Sequence, residues 1–192
     1  MSSIIDVFIL HDAARIIQDH LKPSSQPASP GGAKGAGSNS SDTWIPLNNG
    51  GRSYVFLVAP WNNVAQAGIV DQQEGGDELQ ITLKVGDVIR YRLQNLPLWR
   101  GHQGFIEQVD VVSGQQCLTT PVLQRRPSTS TALDPAVQTL DQVMPIQLTD
   151  VCCEATMIQT GMAALSMKFR IYDDKAALQG NFSFSPWLTI TA

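Results

Sequence analysis

The sequence predicts an all-β protein, an antiparallel β-sandwich with one or two short helices and long surface loops. Three observations carry that prediction. The first is the closing stretch, Met167 to Ala192. Met167, Phe169 and Ile171 share one face of an extended chain and Lys168, Arg170 and Tyr172 the other, the period of two that marks a half-buried strand. After Asp173 to Gly180 the alternation resumes, with Phe182, Phe184, Leu188 and Ile190 inward. Pro186 interrupts this run and, having no N–H to donate, requires an edge or a bulge. The second is Leu79 to Arg92, where Leu79, Ile81, Leu83 and Val85, then Ile89, Tyr91 and Leu93, form two apolar rows around Gly86-Asp87. A tight hairpin would pair Leu83 with Arg90 and Ile81 with Arg92, setting charge on the apolar face. Gly86-Asp87 is therefore a corner where the chain passes from one sheet to the other. The third is the succession of short strand patterns between polar connections, with little helix.

From the N-terminus, Ile4 to Leu10 is an apolar run broken only by Asp6, which suits a central strand. His11 to Leu21 places Ala13, Ile16, Ile17 and Leu21 at helical spacing with Asp12 as N-cap, and the helix ends before Pro23. Ser24 to Asp42 has no aromatic or large aliphatic residue and cannot bury enough surface to offset the entropy of ordering. It reads as a flexible Ser/Gly/Ala/Pro-rich loop at about 23–43 within a single domain spanning 1–192, or as a binding loop that orders on contact. Tyr54 to Ala59 is a second buried-strand pattern, and Phe105 to Val112 a third with imperfect alternation. Pro121 to Pro145 is polar and holds four prolines, which predicts a long irregular connection with a short helix over Leu133 to Val143. Ile146 to Met157 contains a further strand, and Ala155 to Gly161 a weaker one.

A chain of 192 residues with 43% apolar content supports one sizeable core. Its net charge of −4 gives no broad electrostatic reason for nucleic acid or an anionic membrane surface, and neither partner is expected. The start of the chain lacks a basic, then apolar, leader pattern, and no run nears the roughly 20 apolar residues of a membrane span, so a cytosolic location is expected. Cys117, Cys152 and Cys153 form neither an even disulfide framework nor a spaced metal motif and read as reduced, partly buried thiols.

His11, His20 and His102 are not at metal-ligand spacing; no His-x-His pair exists for a cupin-type site, and no histidine follows His102 to join the late ligand cluster of a blue-copper site. There is no Gly-x-Ser-x-Gly elbow and no phosphate-binding loop. Asp173-Asp174 and Asp77-Glu78 read as solvated turn acids, and Arg90 and Arg92 as cross-strand ion-pair partners. No catalytic residue, metal or cofactor is expected. The candidate contacts are aromatic: Trp61 beside Asn62, Trp99 with Arg100 and His102, and Trp187 beside Pro186. Indoles in loops with such neighbours stack on a sugar ring or dock a partner, and otherwise cap the end of a sandwich core. Trp187 lies opposite Leu188 and is expected to cover an edge.

Ile5-Asp6-Val7-Phe8-Ile9-Leu10 with His11-Asp12, then Val85-Gly86-Asp87-Val88-Ile89-Arg90-Tyr91-Arg92, then Phe169-Arg170-Ile171-Tyr172-Asp173 and Gly180-Asn181-Phe182 to Ile190, together resemble the AidA/PixA family of bacterial inclusion body proteins. The Gly-Asp-Val-Ile-Arg-aromatic-Arg segment is the most specific element. The chain departs from the family at Phe184-Ser185-Pro186, where a Trp-Asp-Pro is usual, and in its longer Ser/Gly/Ala loop, and residues 94–166 match weakly. The resemblance implies a jelly-roll-like sandwich and accumulation as cytoplasmic inclusions in a Gram-negative bacterium. It also implies expression tied to population density (quorum sensing) or host association, and it brings no catalytic motif. The expectation is a non-enzymatic, self-associating or ligand-binding protein, with Trp61, Trp99 and Trp187 as candidate self-contacts. The alternatives are a lectin-like module for carbohydrate or a host protein, and an enzyme with an unrecognised site.

Overall fold

The N-terminal apolar run forms strand β1 (Ile4–His11), whose inward row Ile5, Val7, Ile9 and His11 is buried. Helix α1 (Ala13–Leu21) follows at once because Asp12 caps it, its Oδ1 accepting from the Arg15 N–H at 3.0 Å. Ala13 and Ile16 face the core. The computed structural model describes residues 2–21, 43–64, 81–96, 101–133 and 142–192. Most of the expected 23–43 loop thus lies outside the described residues. Among them, no helix is long and apolar enough to cross a membrane.

The remaining strands are β2 (Ile45–Pro46), β3 (Val55–Val58), β4 (Ile81–Lys84), β5 (Val88–Asn95), β6 (His102–Ser113), β7 (Val122–Leu133), β8 (Val143–Thr156), β9 (Gly161–Asp173), β10 (Leu178–Phe184) and β11 (Trp187–Thr191). One sheet runs β3-β1-β5-β8-β7. In the other, β9 pairs with β6 on one flank and with β10 and β11 in succession on the opposite flank, beyond which lie β2 and β4. Between the sheets sits one contiguous core, including Ile9, Tyr91, Phe169, Ile171, Phe182 and Leu188. This is the expected sandwich, but its sheets are mixed: β1 with β5, β2 with β10, and β4 with β11 are parallel pairs. The parallel pairs join strands distant in sequence, which an antiparallel pattern of neighbours does not anticipate.

The corner at Gly86-Asp87 carries the chain from β4 in one sheet to β5 in the other, and Ile81, Leu83, Ile89 and Tyr91 all face the core. Gly86 adopts φ +94°, open to glycine and strained for other residues. The Asp87 side chain is buried; its Oδ1 accepts from the Ser3 N–H and its Oδ2 from the Lys84 N–H, each at 2.9 Å. Around it the Gly86 N–H donates to Met157 O, and the Met157 N–H to Asp87 O, both at 2.8 Å. A single residue thus ties the chain's beginning, both strands of the corner and the exit of β8.

Four expectations are overturned. Residues 121–145 are not one irregular connection, because β7 pairs with β8 along its whole length, from Val122 with Glu154 to Leu133 with Val143. Pro127 is tolerated in β7 because that strand is a sheet edge. Pro145 lies in the part of β8 that, among the described residues, has no strand on its other side, since β5 pairs with residues 153–156. Leu133 and Val143, the ends of the expected helix, are strand residues, and 134–141 lie outside the described residues. Trp187 covers no edge, because β11 lies between β9 and β4. Pro186 is neither edge nor bulge; it is a buried break that splits one long run into β10 and β11, and its carbonyl accepts from the Leu165 N–H at 3.0 Å.

His11 ends β1 wholly buried, its Nδ1–H donating to Gln94 O at 2.8 Å while Nε2 has no partner. Gly104 of β6 lies against it, and a Cβ there would stand 2.4 Å from Nε2. Burial lowers the His11 pKa from 6.5 to about 4, against a raising contribution from the Gln94 hydrogen bond.

Two predictions follow from these contacts. Asp87→Ala takes the acceptor from the Ser3 and Lys84 N–H groups and should cost about 1–3 kcal/mol in urea unfolding, whereas Val85→Ala, at an exposed neighbour, should stay within about 0.5 kcal/mol. Equal midpoints for the two variants contradict the knot. The unfolded chain holds the His11 proton more tightly than the folded one, so stability is complete above pH 6.5 and falls as pH drops to about 4. The loss should total about 3 kcal/mol, and His11→Gln should flatten that slope; an unchanged slope excludes His11 as its source.

Candidate functional site

The six sequence-predicted contact residues do not converge. Trp99 and Arg100 lie outside the described residues, as does the side chain of Trp61. Asn62 is exposed in the short 3-10 turn after β3, next to Asn63, whose Nδ2 donates to Thr82 O at 3.1 Å. His102 opens β6 opposite Asp173, while Trp187 opens β11 opposite Ala164. Ala164 and Asp173 are nine steps apart along β9, a span of about 30 Å at the usual strand rise.

What the strands do build is a trough on the open side of the sandwich, where β6 of one sheet faces the β7–β8 hairpin of the other. The ladder between β5 and β8 ends at Tyr91 with Cys153, and from there the two strands diverge. Arg92 holds the fork, its Nε and Nη2 donating to the Asp150 carboxylate at 2.9 Å each, with Nη1 on Asp6 of β1. Next to it Arg90 donates to Glu154 at 2.7 Å, and Glu154 also accepts from Arg126 at 3.2 Å. The outward arginines of the Gly-Asp-Val-Ile-Arg-aromatic-Arg segment are therefore cross-strand partners, as their alternation implies. Their hydrogen bonds hold the Asp150 and Glu154 carboxyls below the ordinary carboxylate range.

At the fork opens a cavity of about 700 Å³, lined by Phe8 and Gln94 on one side and Ser128 and Leu148 on the other. A second of about 700 Å³ lies beyond β8, between Arg125 of β7 and the end of β9 at Arg170, Tyr172 and Asp173. Both are lined by Gln103, Phe105, Ile106, Thr149 and Val151, so β8 spans one continuous trough over β6. A bulge aims this strand: Ile106 pairs with Phe169 and Gln108 with Lys168, leaving Glu107 unopposed. Glu107 reaches Arg170 at 3.6 Å, and Phe105 meets Tyr172 edge-to-face at 6.0 Å between centroids. Trp44, which sequence reasoning left aside, stacks under Arg170 at 5.8 Å and Lys168 at 5.9 Å.

Some of the polar groups in and beside the trough are already committed. Asp173 spends its carboxylate on its own turn, accepting from the N–H groups of Lys175 and Ala177 and from Gln179. Burial pushes the Cys153 thiol up to about 12 and raises Cys152 as well, away from the thiolate a nucleophile needs. Among the described residues, no group of three or more His, Cys, Asp or Glu side chains is placed to hold a metal ion. The arrangement suits binding between an aromatic wall and mixed hydrogen-bonding groups.

A solved structure of an inclusion body protein of the PixA type from Burkholderia cenocepacia J2315 superimposes with a TM-score of 0.72 at 18% identity, over 99% of this chain and 97% of that one. At that identity the likeness shows the shared fold. Amebosin (TM-score 0.28, 11% identity, 60% of this chain and 90% of that one) and a cysteine protease inhibitor from Entamoeba histolytica (0.27, 12%, 58% and 86%) are similar only at scores that say nothing further. No curated protein sequence matches the chain. The family model for PixA, described as inclusion body protein, matches residues 3–190. The chain therefore belongs to the PixA family of inclusion body proteins.

Proposed function

We propose that this protein works without catalysing a reaction, by associating with further copies of itself through the free half of the β7–β8 hairpin. The observation that carries this reading is the ribbon formed by Pro127–Leu133 and Val143–Thr149, which has no charged residue on either strand. Among the described residues no third strand flanks it, and Leu133, Val143 and Leu148 are each half or more exposed. A two-stranded ribbon is marginally stable alone in water, and exposed apolar surface of this kind marks an interaction site. A charged partner finds no complement on it, whereas a second copy does.

The geometry also favours one kind of association. Seven residues per strand give a ribbon about 24 Å long, with a face on the order of 250 Å². That is well below the roughly 800 Å² per partner of a stable pairwise interface. Pro127 and Pro145 obstruct edge-to-edge pairing, so contacts are made face to face. With two such faces per ribbon, each copy makes two weak contacts, and association grows with concentration rather than closing at a tight dimer. Membership of an inclusion body family supports this reading, in which the protein accumulates as cytoplasmic inclusions. The ties to population density and host association belong to the same family inference.

Light scattering across a concentration series tests it. The natural chain should gain apparent mass with concentration, and Met144→Glu with Leu148→Glu, which charge one ribbon face, should hold it at monomer mass with an unchanged circular dichroism spectrum. A natural chain that stays monomeric at high concentration, a charged variant that assembles equally well, or loss of assembly in Trp187→Ala alone overturns the assignment.

A further inference from the structure

The second cavity of the trough has features that self-association does not use. At about 700 Å³ it lies within the range of small-molecule sites. Its wall presents Phe105, 46% exposed although it sits in a paired strand, with Tyr172 set edge-on behind it. An aromatic ring left uncovered at the side of a cavity offers a flat apolar surface to C–H groups.

The polar groups around that ring are unsatisfied in both senses. Arg125 has no hydrogen-bond or ion-pair partner among the described residues. Arg170 keeps its Nε buried without an acceptor, and its Nη2 stands 3.6 Å from Glu107, beyond hydrogen-bond distance. On the acceptor side Asp174 likewise has no partner among the described residues. Two guanidinium groups and the carboxylates of Glu107, Asp173 and Asp174 line the same space. An anion entering it meets three carboxylates, and a cation meets two guanidiniums. A ligand without net charge, carrying both donors and acceptors, satisfies the two sets together.

We infer that this cavity binds a neutral saccharide, with the C–H face of one ring against Phe105 and its hydroxyls shared among Arg125, Arg170 and Asp174. The polyhydroxylated ring supplies the three properties the cavity asks for: one apolar face, a rim of groups that both donate and accept, and no charge. The inference is independent of the ribbon, because the substitutions that disrupt assembly, at Met144 and Leu148, lie outside this cavity.

The test is an array of immobilised glycans carrying neutral hexoses, N-acetylhexosamines and deoxyhexoses beside uronic and sialic acids, followed by calorimetric titration of the strongest neutral binder as free sugar. Binding to neutral glycans is expected, with Phe105→Ala and Arg125→Ala each weakening it at least about tenfold and Trp187→Ala leaving it unchanged. Phe105→Leu repeats the ring's removal while keeping strand packing, and Arg125 is exposed, so a folding defect in one variant does not decide the matter. No neutral glycan above background, selection of acidic sugars alone, or affinity unchanged in both the Phe105 and Arg125 variants overturns the inference.

Discussion

Everything in this sandwich hangs on one buried carboxylate at a corner. Asp87 accepts one N–H from the strand the chain is leaving and one from the residue that precedes β1, while its own backbone exchanges hydrogen bonds with Met157. That single arrangement decides which sheet receives β5, sets β5 parallel to β1 in register from Ile4 with Val88, and fixes where β8 must leave the fold. Burying a carboxylate is costly, and it is tolerated because backbone donors point at both of its oxygens.

From that fixed end the sandwich opens progressively. Near Asp87, β5 and β8 are laddered; past Tyr91 Arg92 bridges them through Asp150; past Asp150 no third strand flanks the hairpin among the described residues. The closed end is tied by backbone ladders and the open end leaves more surface exposed, the kind of difference that accompanies lower local stability. The Arg92 bridge is partly exposed, so it orients the fork more than it strengthens it.

Sequence patterning showed the closed end and not the open one, for physical reasons. The Gly86-Asp87 corner was legible because four charged and apolar residues, Leu83, Arg90, Ile81 and Arg92, exclude the alternative hairpin by simple alternation. The closing strands were legible because Phe169, Phe182 and Leu188 each bury one face. The β7–β8 ribbon gave no such signal, since both of its faces are wet and its prolines sit where an edge tolerates them. β6 hid its role because the bulge at Glu107 reverses inside and outside midway, so that Ile106 and Val109 are both buried. The trough itself joins Phe105, Arg125 and Tyr172, which no local pattern relates. Sequence reasoning favoured tryptophans because their size is visible in one dimension, and missed the phenylalanine whose neighbours matter.

The three cysteines have a bearing on the material such a protein would form. All are free and buried, Cys152 beneath the Arg92 and Arg126 side and Cys153 toward the core. Burial pushes the Cys153 thiol up to about 12, away from the thiolate that disulfide formation needs. Copies of this chain packed against one another would therefore present no surface thiol for covalent cross-links, and what held them together would be non-covalent contact.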